Sequence, residues 1–229
     1  MTTDTKRVDA HVYALSLLPK PRFRGVSHFY ALFVAVVAAV VLVVTAPSGL
    51  ATFAAAVYAT TLVGMFGASA LYHRGNWSLT TARHLLQLDH TAIFLLIAGT
   101  YTPLALALEP GAKQRMLVVA WAGAVLGVGR ALFWVNAPKW MVAVLAVALG
   151  WLAVLYAAPL AAVAGLAVVV WMGIGGVLYS LGALIYALRR PDPWPQVFGY
   201  HELFHSLVIA AAVAHYVAIC GALPVIGKP

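Results

Sequence analysis

Seven apolar runs, each about as long as a bilayer is thick, follow one another along this chain with only short polar breaks between them. A helix needs ~20 apolar residues to cross the hydrocarbon core of a membrane. No water reaches a backbone there, so the backbone must satisfy itself, and a helix does this within one segment. Each run is taken as one spanning helix: about 27–46, 50–73, 85–108, 115–135, 139–158, 161–188 and 199–222. The chain is therefore expected to be an all-α membrane protein, a seven-transmembrane helix bundle filling residues 27–222, behind a basic segment at 1–26.

The breaks carry ordinary turn chemistry. Pro47-Ser48-Gly49, Glu109-Pro110-Gly111 and Asn136-Ala137-Pro138 separate spans, and Ala158-Pro159 is the expected corner between the fifth and sixth. Residues 1–26 hold seven charged side chains and lack the apolar core and small-residue site of a cleaved signal. The single cysteine, Cys220, cannot close an intrachain disulfide.

Charge sets the expected orientation. With the N-terminus inside, 11 of the 14 basic residues fall on the cytoplasmic side, and only Lys113, Arg115 and Lys228 fall outside. Basic loops stay in the cytoplasm, so the N-terminus is expected inside and the C-terminus outside. The same rule accounts for the net charge of +8 without a nucleic-acid partner. Trp77, Trp134, Trp140 and Trp194 stand near span ends, where indoles anchor helices at the membrane surface.

This topology brings polar residues of three helices to one depth. The second span ends at His73, with Ser69 one turn deeper. The third begins near Asp89, and the seventh opens on His201-Glu202-Leu203-Phe204-His205. Residues at i and i+4 lie roughly 40° apart on a helix and one turn along it. Ionisable groups in a span turn toward the bundle interior and toward each other. His73, His201 and His205 are thus candidate metal ligands, with Asp89 and Ser69 as catalytic partners. Three imidazoles with an open fourth position are the pattern of a catalytic zinc site. In such sites the ion brings the pKa of water down to ~7 and polarises a carbonyl. Asp89 would take the proton of the water, and Ser69 would hydrogen-bond the water or the developing oxyanion. His215 lies roughly 20 Å further along the last helix, too far to share the ion, and is expected to hydrogen-bond in the interior. His90 points ~100° away from Asp89, toward a neighbouring helix. His84 is expected in a loop or at the membrane interface, and His28 and His11 at the surface.

His201-Glu202-x-x-His205 also spells the zinc protease motif, in which Glu202 would be the base and Asp89 a third ligand. That alternative leaves His73 and Ser69 without a part. Ser69-Ala70-Leu71-Tyr72-His73, Leu88-Asp89, His201-x-x-x-His205 with His215 ten residues on, and the leader Arg24-Gly25-Val26-Ser27-His28 together resemble the hemolysin III family. The resemblance runs from about residue 21 to 220. That family is related to the progestin and adipoQ receptors, which include the adiponectin receptors, and to the alkaline ceramidases. The resemblance implies a seven-helix bundle with zinc near the cytoplasmic face, held by His73, His201 and His205, with Asp89 at the water and Ser69 beside it. It also places Glu202 at a variable position. The chain's shortness fits the bacterial branch, and so an inner bacterial membrane.

Three functions follow as expectations. One is a zinc-dependent hydrolase of an amide or ester bond in a membrane lipid. The second is a pore-forming or membrane-perturbing protein, although the spans show no charged ring and no wide polar stripe. The third is a receptor-like or structural membrane protein whose zinc only ties helices together.

Overall fold

The computed structural model describes residues 20–227. Among them the chain is helical: α1 Val26–Val44, α2 Gly49–Arg74, α3 Leu79–Leu106, α4 Pro110–Phe133, α5 Lys139–Gly150, α6 Ala157–Ala164, α7 Leu166–Leu188 and α8 Tyr200–Ala222. A 3-10 stretch, Trp151–Tyr156, joins α5 to α6, so the two form one interrupted span of 26 residues. There are thus seven helical units in the described residues. His11 and most of the basic 1–26 segment lie outside them.

Helix starts follow from capping. Ser48 and Ser78 accept from the backbone N–H groups of Ala51 and Thr81, and the Glu109 carboxylate accepts from Gly111 and Ala112. Each supplies an acceptor to donors that the first turn leaves open.

The expected corner at Ala158-Pro159 is wrong. Pro159 lies in the first turn of α6, where its missing N–H costs nothing. The chain turns instead at Gly165, whose φ of +91° suits glycine. The fifth span therefore ends at Ala164, and the sixth starts at Leu166.

Side chains are distributed as a lipid solvent requires. Val34, Leu126 and Leu155 are at least 70% exposed, while His28, Ser69, His73, His201, Glu202 and His205 are buried. An outer face of that kind is covered by lipid tails, which leaves the interior as the place for polar groups. Six of the spans are long and apolar enough to cross by composition alone. The remaining one, α3, is 28 residues long but carries Asp89, His90, Thr100 and Thr102, three of them buried and Asp89 nearly so. Small residues bring neighbouring helices together. A Cβ on Gly175 of α7 would come within 2.2 Å of the His215 ring on α8. His215 itself lies 3.3 Å from the Met172 carbonyl oxygen, within the helix interface.

Candidate metal centre

The ends of α2 and α8 meet at one end of the bundle, and their histidines meet with them. His73 Nε2 and His201 Nε2 are 3.2 Å apart. His73, His201 and His205 each offer a ring nitrogen, and these nitrogens all lie within 4.8 Å of one another. All three residues are buried. Two imidazole nitrogens that share a tetrahedral zinc at ~2.0–2.1 Å stand about 3.3 Å apart, so the His73–His201 spacing suits an ion. His205 Nδ1 is buried without a hydrogen-bond partner among the described residues. Buried polar atoms are rarely left so unless something else meets them. The donor set therefore fits a zinc ion.

Asp89 Oδ2 is 3.9 Å from His73 Nε2, and the carboxylate also faces Ser69. Its side chain keeps 16% exposure, which comes from the cavity beside it. The structure thus brings together all five residues singled out in the sequence: His73, His201, His205, Asp89 and Ser69.

His28, expected at the surface, belongs to this cluster instead. It is 2% exposed, and its ring lies on His205 with centroids 3.8 Å apart and planes 5° from parallel. Its Nδ1 is 2.9 Å from Ser69 Oγ. The cause is the turn before it. Gly25 adopts φ +72°, and a Cβ there would stand 2.5 Å from His73 Cβ. Only glycine lets the leader pass over His73 and start α1 against the site. The signal for His28 was available: a histidine in the first turn of an apolar span obeys the same rule as His73.

Glu202 is not a free base. Its Oε2 accepts from the Gly199 N–H at 2.9 Å, at the start of α8. Its Oε1 takes the Arg24 Nε at 2.5 Å. Both oxygens are engaged at the helix start, away from the histidine face, which removes the protease arrangement. This ion pair was not foreseen from the sequence.

The leader closes the end of the site. Arg22 and Phe23 donate backbone hydrogen bonds to Gln196 and Val197, and Lys20 Nζ reaches the Gly75 carbonyl at 2.9 Å. Burial, and after it the Arg24 charge, pulls the Lys20 ammonium below its ordinary pKa. Trp77 donates to the Leu71 carbonyl at the end of α2, while Trp140 and Trp194 are exposed near span ends. His84 is exposed, and His90 is buried against α4.

Behind the histidines lies a cavity of about 670 Å³. It runs from Lys20 and Lys139 at the rim, past the triad, to Tyr101, Gly150 and His215 deep in the bundle. The distance from His201 to His215 along α8 is roughly 21 Å. A volume of this size suits an amphiphile of moderate length. The arrangement can hold a divalent ion at one end of a long pocket, with a carboxylate and a hydroxyl beside it.

Similar proteins carry related names. The Hemolysin-3 homolog of Bacillus subtilis (strain 168) is 31% identical over 133 residues, which cover 58% of this chain and 60% of that protein. Hemolysin-3 of Bacillus cereus is 29% identical over 134 residues, covering 58% of each. The Adiponectin receptor protein of Drosophila melanogaster is 53% identical over 51 residues, covering 20% of this chain and 12% of that one. The chain thus spans about 60% of the length of the bacterial relatives it matches. The model of the family described as Haemolysin-III related matches residues 17–216, most of the chain. The protein belongs to the Haemolysin-III related family.

Proposed function

We propose that this protein is a zinc-dependent integral membrane hydrolase that cleaves an amide or ester bond of a lipid. One observation carries the reading: three buried histidine nitrogens within 4.8 Å of one another stand beside Asp89, at the end of a cavity of about 670 Å³. A zinc ion bound there supplies Lewis acidity toward a carbonyl and a water nucleophile near neutral pH.

The chain's own groups do the rest. Asp89 Oδ2, beside His73, takes the proton of the attacking water and hands it to the leaving amine or alcohol. Ser69 Oγ is hydrogen-bonded to His28 Nδ1, and in the tautomer that carries its proton on Nδ1 the imidazole donates, which leaves the serine proton free for Asp89 or for the developing oxyanion. The cavity walls hold the acyl chain and keep bulk water from the reacting carbon. Fixing the carbonyl against the water in this way removes much of the entropic barrier. The basic residues favour an orientation with this end of the bundle at the cytoplasm, in a bacterial inner membrane. A lipid would then enter laterally from the inner leaflet.

A second reading follows from the same burial. The triad links α2 to α8, so zinc bound there also serves as a tie between helices. Turnover separates the two. Purified protein in lipid nanodiscs is to be screened on ceramides, acyl amides and lysolipid esters, with Asp89→Asn beside the wild type. The hydrolase reading expects product from the wild type and a loss of at least 100-fold in Asp89→Asn with zinc content unchanged. Full activity in Asp89→Asn would discard the mechanism.

A further inference from the structure

The long cavity stops at one side chain. From the triad it follows α3 past Ile93 and Leu96 and ends at Tyr101. Along α5 it passes Val142 and Val147 and ends at Gly150. Among the described residues, none further along either helix lines it. Beyond Tyr101 lies a second cavity of about 40 Å³, between Met116 and Val119 of α4 and the 3-10 stretch with Leu152 and Leu155. Tyr101 is the residue that lines both, so its ring is the partition between them.

The partition is fixed in place. Tyr101 is buried, and its hydroxyl proton is shared by the carbonyl oxygens of Gly150 and Leu149, the latter 3.0 Å away. The same oxygen accepts from the Ala153 N–H at 3.1 Å. These groups flank the point where α5 gives way to the 3-10 stretch at Trp151. A helix end leaves carbonyls without their usual partners, and buried ones must find others. Tyr101 supplies that partner. Turning its ring aside would strand the hydroxyl and the backbone groups together, so this floor does not yield as a flexible methionine would.

The floor also lies at a set depth. Tyr101 follows Asp89 by twelve residues on α3, which puts it about 18 Å from the reacting end. One leaflet of hydrocarbon, half of the bilayer core, is roughly 15 Å deep. The space above Tyr101 therefore matches one extended acyl chain of ordinary membrane length.

We propose that Tyr101 sets chain length in this cavity: the pocket takes a lipid amide or ester whose acyl chain is about one leaflet long, and the Tyr101 ring excludes longer chains. This rests on the reading of the cavity as a lipid site and names the substrate class more closely, but it needs neither zinc nor turnover.

Competition binding to the full chain in lipid nanodiscs tests this. The probes are N-acylethanolamines with saturated chains of 12, 16 and 22 carbons, and the tritiated 16-carbon compound is the tracer. Each affinity is taken relative to partitioning into empty nanodiscs. In the wild type the 22-carbon chain is expected to compete at least tenfold more weakly than the 16-carbon chain, and the 12-carbon chain to show no such exclusion. Tyr101→Ala joins the two cavities and should bring the 22-carbon chain to within about threefold of the 16-carbon one. Tyr101→Phe keeps the ring without its anchors and should give part of that gain; it is the test should Tyr101→Ala fail to fold. Equal competition by the 16- and 22-carbon chains in the wild type would overturn the proposal, as would the absence of saturable binding. Discrimination unchanged in Tyr101→Ala, or in Tyr101→Phe where only that variant folds, would overturn it too. Assaying product on the same chains separates the two readings. A length limit in binding without any product removes the hydrolase and keeps Tyr101 as the stop. Product formed equally well at every length keeps the hydrolase and removes the stop.

Discussion

The imidazole of His28 lies flat on that of His205, 3.8 Å away and 5° from parallel, while its Nδ1 meets Ser69 Oγ at 2.9 Å. One residue at the start of α1 thus touches both a candidate ligand on α8 and the hydroxyl on α2. Groups that orient ligands are commonly worth 10–100-fold in metal affinity. His28→Ala is expected to weaken zinc binding by about tenfold, measured by competition with a chromophoric chelator. His28→Phe keeps the stacked ring and loses the bond to Ser69, so it should recover most of the affinity. Equal affinity in His28→Ala and wild type would remove His28 from the site.

The Arg24–Glu202 pair joins the leader to the first turn of α8. Removing Arg24 leaves a buried carboxylate with only the Gly199 N–H. Arg24→Ala should cost on the order of 2–3 kcal/mol, a deep-burial figure reduced for the partial exposure of the arginine. Glu202→Gln keeps an acceptor for Gly199 and a neutral partner for Arg24, and should cost less. Chemical denaturation in mixed micelles gives both values. If Glu202→Gln abolished hydrolysis while the fold and zinc remained, Glu202 would be catalytic after all.

Gly25 is held both by its φ of +72° and by its approach to His73. Gly25→Ala is expected to destabilise the protein by about 1–3 kcal/mol. It should also lower zinc occupancy, because the strain falls on His73. Gly49→Ala, where a Cβ meets nothing within 4 Å, is the control and should change neither.

At Glu109, the backbone N–H groups of Gly111 and Ala112 hold the carboxyl below the ordinary carboxylate range, and the Arg115 charge adds to this. A group depressed by folding stabilises the fold at pH above its unfolded pKa, and loses that effect as pH falls through the folded value. The cap is thus intact at neutral pH and lost only in acid. Glu109→Gln should flatten the acid limb of stability against pH by lowering stability at pH 7 while changing little at pH 3, as thermal scans from pH 3 to 7 would show. An unchanged acid limb would contradict the cap.

The basic residues predict an orientation: with the N-terminus inside, 11 of 14 would lie at the cytoplasm. A phosphatase fused after Pro229 should be active in the periplasm and inactive when fused after Lys20. The reverse pattern would invert the topology and put the histidine triad outside.

The triad was legible because topology and polarity act together. Consecutive spans must reverse direction, so the end of α2 and the starts of α3 and α8 share a membrane side. His73, Asp89 and His201 then have no apolar reason to be where they are. What escaped depended on backbone detail. Pro159 reads as a corner, yet a proline in a first turn is permitted, and Gly165 makes the turn. His28 reads as a boundary residue because the left-handed turn at Gly25, which folds the leader over His73, leaves only a glycine in the sequence. Arg24 and Glu202 are 178 positions apart, and no periodicity links them.

The most direct test of the account is the zinc content of the purified protein, wild type beside His201→Ala/His205→Ala, by mass spectrometry after exhaustive dialysis. The account predicts one zinc per chain in the wild type and none in the double variant. A wild type free of metal after preparation with zinc supplied would contradict it, and the buried histidines would then be a hydrogen-bonded cluster in which His73 and His201 share a proton across 3.2 Å.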